Sequence, residues 1–242
     1  MMRRASLNIA APMPRPGSKR TVRDRNVDSR VQRVADTLEE DIVLGILHPR
    51  ERLVEDELCA RFEIKRHVAR AVLVELELRG LADRRKHIGA FVKSYAAQEV
   101  IDLFAVREIL ETNAARLIAM PVSAARLEAL VRIQSRYDAA VKREDLRAVF
   151  KANLEFHRAL FALSENKALN EAIGEYERRT HAIRFTSIIF PGYLEKVQRQ
   201  HHEIIDSVRR GDRRSLVSLC RDHLLPARDA YLESYHRRRS PP

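Results

Sequence analysis

The sequence predicts a mostly α protein, an N-terminal winged helix-turn-helix followed by an all-α helical bundle. Three observations carry that expectation. Glu55 to Lys93 reads as helix, tight connection, helix and hairpin. From Ala96 onward apolar residues recur at helical spacing and strand signals are absent. Only seven glycines occur in 242 residues, too few to punctuate a β-rich chain.

Within the first part, a short helix is expected over Glu55 to Phe62 and a second from Arg66 to Arg79, joined by Glu63-Ile64-Lys65. Gly80 suits the left-handed residue that ends a helix. Two β runs, Ala82–Arg85 and Ala90–Lys93, flank Lys86-His87-Ile88-Gly89, and Arg52-Leu53-Val54 can pair with this wing. On a helical wheel Ala69, Val72, Leu73 and Leu76 form one apolar stripe. His67 and Arg70 lie off it, and Arg66 lies at its edge. Charge follows the same division. Residues 31–60 hold three Arg/Lys against eight Asp/Glu, whereas residues 61–95 hold nine against four. Local positive charge at a helix start and on a wing is what phosphate and base contacts need. Lys65, Arg66, His67, Arg70 and His87, with Gly89 at the turn of the wing, are the candidate DNA-contacting residues. A solvated basic face is the plainer reading of such charges taken alone.

Residues 1–30 carry three prolines in five positions and eight Arg/Lys against two Asp/Glu, and are expected to be a disordered basic leader. Val31, Val34, Ala35, Leu38 and Ile42 then predict a helix reaching about Leu47, stopped by His48-Pro49. The winged domain is placed at 31–95 and the helical domain at 96–237. In the latter about six helices are expected: Ala97–Ala119, Ser123–Glu144, Asp145–Leu163, Ala168–Ser187, Pro191–Arg210 and Asp212–Arg237. Ser123 is a candidate N-cap, and Gly211-Asp212 a sharp turn.

The helical part holds a polar constellation. Asn153 and His157 are four apart and share a helix face. His201 and His223 flank the turn at 211–212 at similar distances, so an antiparallel hairpin brings them level. Three imidazoles and an amide can converge there on a divalent metal such as zinc or nickel. Spacing alone leaves open the commoner alternative, buried histidines satisfied by backbone. Arg107 and Glu111 form another i, i+4 pair beside Leu103, Val106, Leu110 and Ala114. Arg107 either points inward toward a carboxylate ligand or makes a surface ion pair with Glu111 or Glu108.

Composition narrows the classes further. The net charge of +11 suits a polyanionic partner. No run of about 18 apolar residues occurs, so no membrane span is expected. Cys59 and Cys220 alone make no disulfide framework, and a cytoplasmic protein is the simplest reading. No Ser-His-Asp or Cys-His arrangement and no phosphate-binding glycine loop is legible.

From about Val31 to Tyr235 the chain resembles GntR-family transcription regulators of the FadR subfamily with an FCD effector domain. The N-terminal resemblance runs through HPRERLVEDELCARFEIKRHVARAVLVELELRGLADRRKHIGAFV. Arg66 and Arg70 match the family's recognition-helix arginines, Gly89 its wing glycine, and Leu81 and Val92 the frame around it. Arg50 stands where glycine is usual, and Lys65, His67, Val68, Ala69 and Ala71 replace Ser, Thr, Pro, Val and Glu, which implies an altered operator. The C-terminal resemblance rests on NLEFH, HHEIIDSVRRGD and RDHLL. It implies metal ligands at Asn153, His157, His201 and His223, with Asn153 in place of the commoner aspartate. SENKAL resembles the family's Ser-Gly-Asn turn through Asn166, and Arg107 matches an arginine facing the effector cavity. The resemblance thus implies a homodimeric, metabolite-responsive regulator, most simply a repressor. It would bind an operator in double-stranded DNA and be released by a small carboxylate effector. A metal-dependent hydrolase with a DNA-binding appendage, or a ligand-independent DNA binder, are the alternatives.

Overall fold

The computed structural model describes residues 22–188 and 192–237. Its elements run α1 (Val22–Val43), β1 (Arg52–Leu53), α2 (Glu55–Phe62), α3 (Arg66–Leu78), β2 (Ala82–Arg85) and β3 (Gly89–Val92). Then follow α4 (Ala97–Leu117), α5 (Ala124–Lys142), α6 (Leu146–Ala162), α7 (Lys167–Arg179) and α8 (His181–Ile188). The chain ends on α9 (Tyr193–Arg210), α10 (Arg213–Asp222) and α11 (Leu225–Arg237).

The helix-turn-helix forms because the α3 stripe is buried. Val68, Ala69, Val72, Leu73 and Leu76 all face inward, while Glu63 adopts a left-handed conformation (φ 51°) that turns α2 into α3. The strands order as β1-β3-β2, all antiparallel, with Arg52 opposite Phe91 and Arg84 opposite Ala90. β1 thus completes the wing sheet as expected. At its tip His87 and Gly89 both take positive φ. Gly80 is required twice over. Its φ is +73°, and a Cβ there would lie 3.1 Å from Arg179 Cγ and 3.3 Å from the Tyr95 hydroxyl, where the two halves of the chain approach.

Four expectations are corrected. The basic leader to residue 30 is helical from Val22, because α1 begins nine residues earlier than the pattern from Val31 suggested; residues 1–21 lie outside the described residues. The helix expected over Ala168–Ser187 is two, α7 and α8. They break at Thr180 (φ −91°, ψ 0°), whose hydroxyl donates to the Glu177 carbonyl. The helix expected over Asp212–Arg237 is also two. Pro226 has no N–H and its ring opposes the carbonyl four residues back, so α10 closes at Asp222 and α11 restarts at Leu225. Ser123 stands at the start of α5 but makes no side-chain cap. Asp145, Asn166 and Asp212 do cap α6, α7 and α10, each accepting from the backbone N–H three residues on.

Two large apolar clusters organise the molecule. The first joins α1, α3 and the wing sheet to Val100 and Phe104 of α4, Ala182 and Ile183 of α8, and Leu224, Ala227 and Tyr231 near the C-terminus. The DNA-reading half therefore shares its core with the helical half. The second fills the bundle around Phe156, Leu160, Ile204, Leu216 and Cys220. Both cysteines are free. Among the described residues no helix is long and apolar enough to cross a membrane.

Candidate DNA-reading face and metal centre

Lys65, Arg66, His67 and Arg70 are all exposed at the N-terminal end of α3, and His87 and Gly89 are exposed at the wing tip. A cleft of about 690 Å³ separates α3 from the wing. Arg52, Arg84, Arg85 and Lys86 line it beside Arg66, Arg70, His87 and Gly89. These four cations were missed in the sequence. Arg84, Arg85 and Lys86 are contiguous with His87, and that run was the available signal. Arg52 is brought in only by β1 pairing, its Nη2 donating to the Ile88 carbonyl at 3.0 Å. Acidic groups of α2 hold the two recognition arginines: Arg66 pairs with Asp56 at 2.8 Å and Arg70 with Glu55 at 3.0 Å. Both arginine side chains remain about two-thirds exposed, so these pairs are weak and open to exchange for phosphate.

Inside the bundle α6, α9 and the end of α10 bring His157, His201 and His223 together. Their ligand nitrogens lie within 4.8 Å of one another. His223 Nε2 is 3.2 Å from His157 Nε2. Two glutamines fix the rings. His201 Nδ1 donates to Gln134 Oε1 at 2.8 Å, and His223 Nδ1 donates to Gln200 Oε1 at 3.0 Å. Each amide is itself oriented, Gln134 by donating to Asp138 and Gln200 by donating to the Asp222 carbonyl. The Nε2 lone pairs of His201 and His223 are thereby exposed to the centre. His201 ring-stacks on Phe156 with centroids 3.9 Å apart.

Burial, with the neighbouring imidazoles, holds His157 well below the ordinary histidine range. Burial and His223 do the same to His201. Burial, then the charges of Arg184 and Arg107, lower His223 to about 3. Three neutral imidazoles are the protonation state a divalent metal requires. Among the described residues, His201 Nε2 and His157 Nδ1 are buried with no hydrogen-bond partner. An unpaired buried nitrogen costs about 1–3 kcal/mol, and a cation on His201 Nε2 would remove that cost. The residues therefore fit a metal. Asn153, one turn before His157, is buried at 8 % exposure.

Arg107 points into the bundle rather than lying in a surface ion pair. Its Nε donates to Glu111 at 2.8 Å, but the pair is buried, at 5 % and 2 % exposure. Its Nη1 donates to Thr180 Oγ1 at 3.0 Å. Arg184, also buried, donates to Glu177 at 3.3 Å. Burial pushes the Glu111 carboxyl up against the pull of Arg107. Arg184 had no signal in the sequence, since its position depends on the break at Thr180.

Residues 30–92 match the profile of the "Bacterial regulatory proteins, gntR family". Residues 102–225 match that of the "FCD domain", just over half of the chain. The chain belongs to the GntR family and carries an FCD domain. It is a DNA-binding transcription regulator. Among curated relatives, it is 23% identical over 193 residues to the HTH-type transcriptional repressor RspR of Escherichia coli K12, covering 80% of this chain and 85% of that protein. It is 25% identical over 175 residues to the HTH-type transcriptional regulator YdhC of Bacillus subtilis, covering 72% and 78%. Among solved structures, E. coli McbR/YncC superposes with a TM-score of 0.73 at 17% identity, over 85% of this chain and 98% of that one. A GntR regulator from Rhodococcus sp. RHA1 gives 0.70 at 23% identity, over 86% and 99%. At such identities the superpositions establish the fold of this GntR regulator. The family and the relatives are regulators, and the hydrolase alternative is set aside.

Proposed function

We propose that this GntR regulator is a homodimeric, metabolite-responsive repressor whose FCD domain binds a divalent transition metal and a small carboxylate effector. The observation that carries the reading is the convergence of His157, His201 and His223 with a buried, unpartnered nitrogen on His201. Asn153 would add a neutral oxygen ligand from the same helix as His157. Three imidazoles and an amide leave the ion's double charge uncompensated, which favours completion of its coordination by an anionic ligand. Arg107 would take the acid's carboxylate in place of Glu111. Glu111 is already pushed toward its protonated form by burial, so it can release the guanidinium by accepting a proton. DNA binding would fall to Lys65, Arg66, His67, Arg70, His87 and Gly89, with Arg52, Arg84, Arg85 and Lys86 on phosphate. The repressor assignment is supported by the relative RspR, whose name says repressor.

The test is elemental analysis of the purified protein, followed by thermal unfolding against a panel of small carboxylates with and without zinc or nickel. Native-state ligands raise the midpoint by mass action. Near-stoichiometric metal, lost in His157→Ala, His201→Ala and His223→Ala, with one acid that raises the midpoint only in metal-loaded protein, is the expected result. Full occupancy in all three variants would remove the site. Metal without any acid response would leave a metal-bound, ligand-independent regulator.

A further inference from the structure

We infer that the α7–α8 junction, Arg179 to Arg184, is the relay by which occupancy of the FCD site reaches the DNA-binding domain. Thr180 reads Arg107 there, and His181 grips α1. The inference rests on the metal reading above and adds to it a route and the residues that form it.

The junction faces both ways within six residues. Toward the site, Thr180 Oγ1 receives a hydrogen bond from Arg107 Nη1 at 3.0 Å, and Arg184 is bonded to Glu177. Arg107 and Arg184 are buried in the bundle, as are His157 and His201, so a dication held by the histidines would repel these two guanidiniums. Toward the DNA-binding domain, His181 Nδ1 donates to Glu39 of α1. The other oxygen of Glu39 is held by Arg79 at 2.7 Å, at the end of the recognition helix, and Arg79 also binds Asp36, Glu75 and Gln32. The Tyr95 hydroxyl lies 2.8 Å from both the Arg179 and the Gly80 carbonyls, which share its single proton. Tyr95 belongs to the segment joining the domains, and the Tyr231 hydroxyl clamps its backbone. The covalent link between domains is therefore fastened to the same junction.

Space and packing support movement here. Ala182 and Ile183 lie in the winged domain's own core, so a shift of α8 moves that core with it. Two interdomain clefts of about 610 and 430 Å³ open beside the junction; Leu78 lines both, with Arg178 on the wall of one and Arg179 on the wall of the other. That open space gives the end of α7 room to shift against α3. The buried polar pairs at the junction have defined geometry, and losing one is costly, which favours two discrete arrangements over gradual deformation. Thr180 and His181 are positioning residues in this scheme.

The test uses the full chain, zinc alone as the probe, and hydrogen–deuterium exchange read by mass spectrometry. In wild type, zinc is expected to slow exchange around 153–161, 197–205 and 219–224, and also to change exchange at 36–43 and 75–82. In Thr180→Val the local slowing stays and the remote change is lost; Thr180→Ser, which keeps the hydroxyl, restores it. His181→Gln, which can still donate to Glu39, retains the remote change, whereas His181→Leu loses it and serves if the valine variant folds poorly. A remote change as large in Thr180→Val or His181→Leu as in wild type overturns the relay. Local slowing without remote change in wild type also overturns it while the metal site stands. No local slowing in wild type overturns the metal reading and the relay together.

Discussion

At the scale of single residues, the side chains proposed to contact DNA and those proposed to hold metal make opposite demands. Arg66 and Arg70 are exposed and pair with Asp56 and Glu55. Truncating either arginine leaves no buried charge behind, so folding should be unaffected. Each Arg→Ala change is expected to weaken binding to a mixed-sequence duplex and to lower the slope of log K against log salt by about 1. Asp56→Asn should do the reverse, since it frees Arg66 and removes a charge that repels phosphate. Fluorescence anisotropy at several salt concentrations decides it, and equal slopes for wild type and both arginine variants would remove these residues from the interface. The histidines are buried, and their neighbours matter as much as they do. Gln134 fixes the His201 tautomer at 2.8 Å. Gln134→Leu is expected to weaken zinc binding about 10–100-fold, by analogy with other residues that orient metal ligands. Asn153→Asp should strengthen it by adding the missing negative charge. Calorimetric titration with zinc reads both, and unchanged affinity in Gln134→Leu would mean that Phe156 stacking alone holds the ring.

At the scale of elements, α1 is the strut between the halves. Its Glu39, Glu40 and Asp41 pair on one side with Arg79 and Arg61 and on the other with His181, Arg147 and Lys151. Burial opposes ionisation of Glu39, but the His181 and Arg79 bonds outweigh it and hold its carboxyl below the usual range. Stability from this group is therefore present above the unfolded value and is lost as pH falls through the lower folded one. Glu39→Gln should cost about 3 kcal/mol near neutrality, the scale of breaking a buried pair, and should then lose less than wild type between about pH 5 and pH 3. Parallel losses in urea midpoints across that range would show that Glu39 is not ionised in the fold. Little of this strut was legible beforehand. The recognition helix, its stripe and the wing followed from apolar period and residue type, which are local properties; spacing alone left the grouping of the three histidines open, and it was the family resemblance that implied it. The start of α1 was hidden because residues 22–30 are mostly charged and polar, and Val27 alone carries the helical period of Val31, Val34 and Leu38 back toward it. The break at Thr180 was hidden because a β-branched residue between arginine and histidine is no helix breaker by propensity. The hydrogen bond from Arg107, 73 residues away in sequence, accompanies a turn that nothing local announces.

At the scale of the molecule, the shared core decides how the two halves respond to heat and ligand. Val34, Leu38, Val72 and Leu76 of the winged half pack in one cluster with Ile183, Leu224 and Tyr231 of the helical half. Unfolding either half alone would expose apolar surface on the other, at about 25 cal/mol for each Å² uncovered. The two halves should therefore melt in one transition, even though they match separate family profiles. Zinc bound only by the native bundle, at a concentration 100 times its Kd, adds about 2.7 kcal/mol of stability. For a chain of this size that is a rise of about 5–10 °C in Tm, and the whole transition should move, including the part that reports the winged domain. Differential scanning calorimetry of the full chain, with and without zinc, is the measurement. Two resolved transitions of which zinc shifts only one would mean that the common core does not bind the domains energetically, and the sensor would then have to act through the 93–99 segment alone.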